Sequence, residues 1–241
     1  YLKKHLPDSI LSISNDLEKA KALYYFIQSH YKWNGMFYSY GSPVKEVFNA
    51  KEGSATEINV SLINALQAAG LDAKLMMIST RENGLPTIHH PVMTKFNYTI
   101  VHLTIDGETY LLDATDKDLQ FGILPFYTLN VQGRLMDFKK GSSWIPLTPD
   151  QRNIHYVNLK LTAGTGQVFQ GNAEEISTGY VAISKRENDI ASFGFGKIDG
   201  KEVKISRYSV ENRYDLEQPF KEKYDVFFDA PSQSELVVLK P

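Results

Sequence analysis

At 241 residues, with 42% hydrophobic and 22% charged side chains, the chain has the make-up of a globular protein and room for one large domain or two ordinary ones. Its 26 basic and 28 acidic residues leave a formal charge of −2, which gives no electrostatic grip on nucleic acid or an anionic membrane surface. The absence of cysteine excludes disulfides, thiolate metal sites and thiol nucleophiles together. The longest apolar runs, such as Leu75 to Ile78, are too short for a transmembrane segment. The chain opens at Tyr1 rather than Met, which leaves room for a targeting segment upstream.

The first predicted element is a helix from Asp16 to about Tyr31. Ala20, Leu23, Tyr24, Ile27 and Tyr31 recur at helical spacing, and Asn15 with Glu18 forms a candidate capping box. Lys32-Trp33-Asn34-Gly35 stops it, and Val44 to Ala50 is a short helical turn. The clearest helix follows: Ser54 and Glu57 make an S-x-x-E capping box, Ile58, Leu62, Leu66 and Ala69 form one stripe, and Gly70 ends it. Leu71 to Thr80 reads as a buried strand and Arg81 to Thr94 as a loop. Phe96 to Ile105 alternates as a strand, Asp106-Gly107 is a hairpin turn, and Thr109 to Asp113 returns. Another strand is expected within Leu129 to Phe138.

Gly141 to Pro149, with Pro146 and Pro149, is the expected domain boundary, giving a core over 1–145 and a β-rich domain over 150–241. In the second part Ile154 to Leu161, Gln167 to Asn172, Val203 to Tyr208, Tyr224 to Phe228 and Leu236 to Leu239 read as short strands. Glu174 to Lys185 fits helix and strand equally.

The order helix, loop, capped helix, strand and hairpin ending in Asp113-Ala114-Thr115 resembles the transglutaminase-like superfamily. Gly53-Ser54-Ala55-Thr56-Glu57 is similar to that family's Gly-x-Cys motif, and Tyr98 through Asp106-Gly107 to Asp113 is similar to its His-to-Asp hairpin. The strings Ser79-Thr80-Arg81, Phe96-Asn97-Tyr98, Leu124-Pro125, Leu129-Asn130 and Gly133-Arg134-Leu135 resemble one exported bacterial branch. In that branch the core lies between two β-rich domains. Gly179-Tyr180-x-Ala182 and Lys185-Arg186 are the marks of the C-terminal one.

The resemblance implies an α+β, papain-like core with helices packed on an antiparallel sheet, plus a small β-rich C-terminal domain. It implies a periplasmic or cell-envelope setting and an upstream β-rich domain as partner. It also implies a degenerate triad, with Ala55 at the nucleophile position, Tyr98 at the base position and Asp113 at the orienting position. The family chemistry needs a thiolate at a helix N-terminus and a His to take its proton. Ala55 and Tyr98 supply neither, so a pseudoenzyme is expected.

Trp33, Ser54, Arg81, Asn97, Tyr98 and Asp113 are the candidate lining of the old cleft, with a peptide or glycan as candidate ligand. Ser54 reads first as a cap, and Tyr98 as a partner for Asp113. His89-His90 and His102 lack ligand spacing, so neither a metal nor a cofactor is expected. Three readings follow: a non-catalytic binding or scaffolding module, a hydrolase using non-thiol acid–base chemistry, and a structural spacer.

Overall fold

A computed structural model describes residues 1–38, 42–88, 92–149, 152–164, 168–187, 195–198 and 201–229. The chain divides into two units, Tyr1–Asp150 and Gln151–Pro241. His89, His90 and Leu236 to Leu239 lie outside the described residues.

In the first unit a single turn, α1 (Asp8–Leu11), leads into α2 (Asp16–His30). The side chain of Asn15 accepts from the Glu18 N–H at 3.0 Å, satisfying one orphan donor of the first turn. Ala20, Leu23, Tyr24 and Ile27 are buried, so the helical spacing marks the inward face. Two-residue strands β1 (Lys32–Trp33) and β2 (Glu52–Gly53) pair in parallel on either side of α3 (Val44–Ala50). That pairing fixes the loop carrying Trp33 next to the start of α4 (Ala55–Ala68).

Strands β3 (Asp72–Ile78), β4 (Tyr98–Ile105), β5 (Glu108–Leu112), β6 (Gln132–Asp137) and β7 (Gly141–Pro146) form an antiparallel sheet in the order β5-β4-β3-β6-β7. Asp106 and Gly107 both have positive φ, 51° and 86°, as a two-residue hairpin turn of this twist requires. Helices α2 and α4 cover one face, where Ile27, Ile58, Leu62 and Leu66 meet Ala73, Val101 and Leu103. On the other face Met76, Ile78, Tyr98 and Ile100 pack with Leu124, Tyr127 and Leu147. The alternation expected for β4 is therefore not one of inside and outside: seven of its eight residues are buried, because it is a central strand covered on both faces.

The two units divide at Asp150, next to the stretch 141–149 expected to hold the boundary. The first six residues of that stretch are β7, which belongs to the first unit. Pro146 ends an edge strand, where a missing N–H removes no ladder bond from the sheet interior.

The second unit contains β8 (His155–Ala163), β9 (Val168–Ser177), α5 (Gly179–Glu187), β10 (Phe195–Ile198), β11 (Lys201–Glu211) and β12 (Phe220–Asp229). Its sheet is antiparallel, ordered β10-β11-β12-β9-β8. The ambiguous stretch 174–185 is both things in turn. The strand period runs to Ser177, and Gly179 at φ 60° starts the helix, with the Tyr180 N–H bonded to Asn153 Oδ1 at 2.7 Å. Ala182 is buried, and the Arg186 guanidinium donates to the carbonyls of Asp215 at 3.2 Å and Gln218 at 2.8 Å. Gly179, Tyr180, Ala182 and Arg186 thus seat this helix.

Candidate functional site

The register of the hairpin decides what meets at the positions that the resemblance assigns to a catalytic triad. Leu112 lies opposite Val101, so Asp113, one residue on, continues on the side of Ile100 and Tyr98. The Tyr98 hydroxyl donates to Asp113 Oδ2 at 2.8 Å. Asp113 Oδ1 accepts from Asn59 Nδ2 at 3.1 Å and from the Thr115 N–H at 3.0 Å. Asn59 also clamps the two strands, taking the Ala114 N–H at 2.9 Å and donating to the Thr99 carbonyl at 2.9 Å. Tyr98 Oη lies 3.2 Å from Thr115 Oγ1 and 3.3 Å from the Tyr127 hydroxyl.

Asp113 and Asn59 have no exposed surface and Tyr98 is 2% exposed, so this network is sealed. Burial holds the Asp113 carboxyl above its usual range, partly offset by its hydrogen bonds to Thr115, Tyr98 and Asn59. Burial, and then the Asp113 charge, push the Tyr98 phenol far up and the Tyr127 phenol to about 12. A phenol that keeps its proton and gives it to a carboxylate is a fixed donor, so Tyr98 is unable to serve as a general base near neutral pH.

The start of α4 is equally closed. Ala55 has no exposed surface, and its N–H donates to the Met36 carbonyl at 2.9 Å. The Thr56 N–H donates to the Phe37 carbonyl at 3.2 Å, and the Glu57 N–H to Ser54 Oγ at 3.3 Å. The Glu57 carboxylate returns to the Ser54 N–H at 2.9 Å and completes the capping box. These first-turn amides are the groups that would otherwise stabilise an anion at a helix N-terminus. Ser54→Ala is expected to cost about 1 kcal/mol of stability, measured by urea unfolding, since it removes the cap.

Aromatic rings fill the space between the helix start and the hairpin. Phe37 meets Tyr98 edge-on at 5.2 Å between centroids and stacks on Tyr127 at 5.6 Å, while Trp33 stacks on Phe37 at 6.0 Å. The Trp33 indole N–H donates to the Met36 carbonyl at 2.8 Å, which ties the loop down over Ala55.

Of the candidate lining, the structure brings Trp33, Ser54, Tyr98 and Asp113 into this closed region. Asn97 points elsewhere: its amide accepts from the Thr80 N–H and donates to Thr80 Oγ1, both at 2.9 Å. Arg81 is exposed, with its guanidinium carbon 4.4 Å from the centre of the Phe126 ring. Sequence reasoning missed Phe37, Asn59 and Tyr127. Asn59 had a readable signal, a polar residue four positions beyond Ala55 on a buried helix; Phe37 and Tyr127 come from irregular loops and had none. Among the described residues, no group of three or more His, Asp and Glu side chains could hold a metal ion.

A family model described as the transglutaminase-like superfamily matches residues 4–111, a span that includes Ala55 and Tyr98 and ends two residues before Asp113. A solved structure from Parabacteroides distasonis ATCC 8503, described as a "putative protease", aligns with 94% of this chain and 48% of its own, at 14% identity and a TM-score of 0.42. The chain therefore spans about half the length of that protein. No curated protein matches the chain. Over residues 4–111 the chain is therefore similar to the transglutaminase-like superfamily.

Proposed function

We propose that the first unit is a non-catalytic transglutaminase-like scaffold of an exported, envelope-located bacterial protein. The observation that carries this reading is the closure of the family's catalytic positions. Ala55, Tyr98 and Asp113 are buried, and the Tyr98 hydroxyl, the Asp113 carboxylate and the Ala55 N–H are all bonded within the protein. Phe37 packs on both Tyr98 and Tyr127, which favours scaffolding over peptide or glycan capture beside these residues. A non-thiol hydrolase would need a carboxylate free to take a proton from water. Asp113 and Glu57 are both engaged, the first by Tyr98, Asn59 and Thr115, the second by Ser54. The envelope location rests on the exported branch that the chain resembles.

Because the chain has no cysteine, Ala55→Cys makes a single-thiol probe of the site. Its reaction with a disulfide reagent in native buffer should be at least about a hundredfold slower than in denaturant, since exposure needs an opening that costs about 3 kcal/mol. Neither the variant nor the natural chain should release ammonia or free amine from glutamine or peptide substrates. A thiol labelled as fast in the native protein as in denaturant, or turnover by the natural chain, would overturn the reading.

A further inference from the structure

The second unit has an outer sheet face, opposite the side covered by α5, that carries polar side chains across four strands. Asn158 faces Glu174 across β8 and β9, and Lys160 faces Asn172. Lys223 and Asp225 of β12 continue the same two rows. These residues and Arg207 line an open groove of about 290 Å³.

The backbone is bent to build it. Between Ser206 and Ser209 the pairing of β11 with β12 shifts register, and Arg207 sits at φ 51°. This left-handed conformation is disfavoured for a side chain of that size, and bulges of this kind re-aim side chains. Here the bulge puts Arg207 over the groove, paired with Asp225, while Tyr208 goes to the inner face and donates to Glu222 at 2.7 Å. Without the extra residue the two side chains would not both reach these partners.

We propose that this groove binds an acidic oligosaccharide, a chain of sugar rings that carries carboxylates. Four features of the face select that class. The amides of Asn158 and Asn172 each donate and accept, as vicinal sugar hydroxyls do in return. The carboxylates of Glu174 and Asp225 accept from sugar hydroxyls between the rows of amides and cations. The groove lies over β9 and β12, whose backbones are paired on both sides, so no free strand edge is available to hold a peptide. Finally, the exposed rings of Tyr156 and Phe227 stand on the same face at opposite ends of the rows and offer flat surfaces to sugar C–H faces.

The sign of the ligand follows from the ion pairs. Asp225 is paired with Arg207, and Lys223 lies 2.6 Å from Glu211 and 3.9 Å from Glu174. Lys160 forms no ion pair among the described residues, which leaves a cation at the groove to meet a sugar carboxylate. This assignment goes beyond the reading of the first unit and stands or falls separately from it.

The test is calorimetric titration of the whole chain with tetragalacturonate, alongside neutral cellotetraose and a hexaglutamate peptide. Tetragalacturonate alone should bind. Lys160→Glu and Asn172→Ala, both exposed positions whose variants should keep the natural unfolding midpoint, should each weaken binding by about tenfold, the equivalent of one charge-assisted hydrogen bond. Equal binding of cellotetraose would overturn the acidic assignment, and equal binding of hexaglutamate would reduce the groove to plain charge attraction. Undetectable binding of tetragalacturonate, or binding unmoved by both substitutions, would remove the site.

Discussion

Asp113→Ala should lower the stability of the first unit by about 4 kcal/mol and its thermal midpoint by about 10 °C. The substitution deletes an acceptor and strands three donors, the Tyr98 hydroxyl, Asn59 Nδ2 and the Thr115 N–H, in a region closed to water. Each unpaired buried donor carries its own desolvation penalty, which is why the cost exceeds that of one hydrogen bond. Tyr98→Phe should cost less, about 1–2 kcal/mol, because the carboxylate keeps two of its donors. Combining the two substitutions should cost less than their sum, since each removes the other's partner. An Asp113→Ala midpoint equal to that of the natural chain would show that the network does not hold the hairpin.

The same carboxyl gives a pH signature whose sign is unusual for an aspartate. Burial raises its pKa in the folded chain, so the folded state holds the proton at pH values where the unfolded chain has released it. Its contribution to stability is therefore fully present below the unfolded value, about 3.9, and declines as pH rises from there to the raised folded value. Asp113→Asn carries no titrating group at this position and should lack that decline. A decline of equal size in Asp113→Asn would assign it to another carboxyl.

What could be read from the sequence follows the range of the interactions involved. Helix α4 is fully local: Ser54 and Glu57 cap it, and Ile58, Leu62 and Leu66 share one face. The hairpin is nearly as local, because Asp106-Gly107 fixes the turn and the turn fixes which residues of β4 and β5 oppose one another. The aromatic cluster over Tyr98 is different. Phe37 and Tyr127 lie 90 residues apart in the chain and meet over Tyr98, and nothing in the periodicity of either loop announces the encounter. The strand β7, just before the unit division, was hidden for a related reason. Two prolines within 141–149 suggest a linker, but at the edge of a sheet a proline is compatible with a strand.

Charged residues in the second unit show the same limit at higher cost. Glu175, Lys185 and Glu222 are all charged, yet Glu222 is 4% exposed and the other two are largely covered. Glu175 and Glu222 are direct cross-strand partners, a like-charge pairing that destabilises a sheet when left alone. The Lys185 ammonium of α5 bonds both carboxylates. Tyr224 donates to Glu175, Tyr208 to Glu222 at 2.7 Å, and His155 Nε2 lies 2.7 Å from Glu175. Burial pushes the Glu175 carboxyl up, but the bonds from Lys185, Tyr224 and His155 outweigh it and hold the group at about 2. Lys185 is held above its usual range by the same two carboxylates, again against burial.

Lys185→Met should therefore destabilise the second unit by about 3–5 kcal/mol at neutral pH, since it keeps the apolar stem and leaves two facing carboxylates with no cation between them. The natural chain and the variant should respond to acid in opposite ways. In the natural chain the contribution of Glu175 is present above its unfolded pKa, about 4.5, and is lost as pH falls from there through about 2. In the variant the unneutralised carboxylates repel, protonation relieves them, and the deficit should shrink over the same interval. Urea unfolding from about pH 3 to pH 7 should show the two curves converging toward acid. Lys185→Met/Glu222→Gln should recover about half of the neutral-pH loss by removing one of the two charges. A variant as stable as the natural chain at neutral pH would mean that the lysine does not bridge the carboxylates, and a deficit independent of pH would assign its effect to packing of α5 instead.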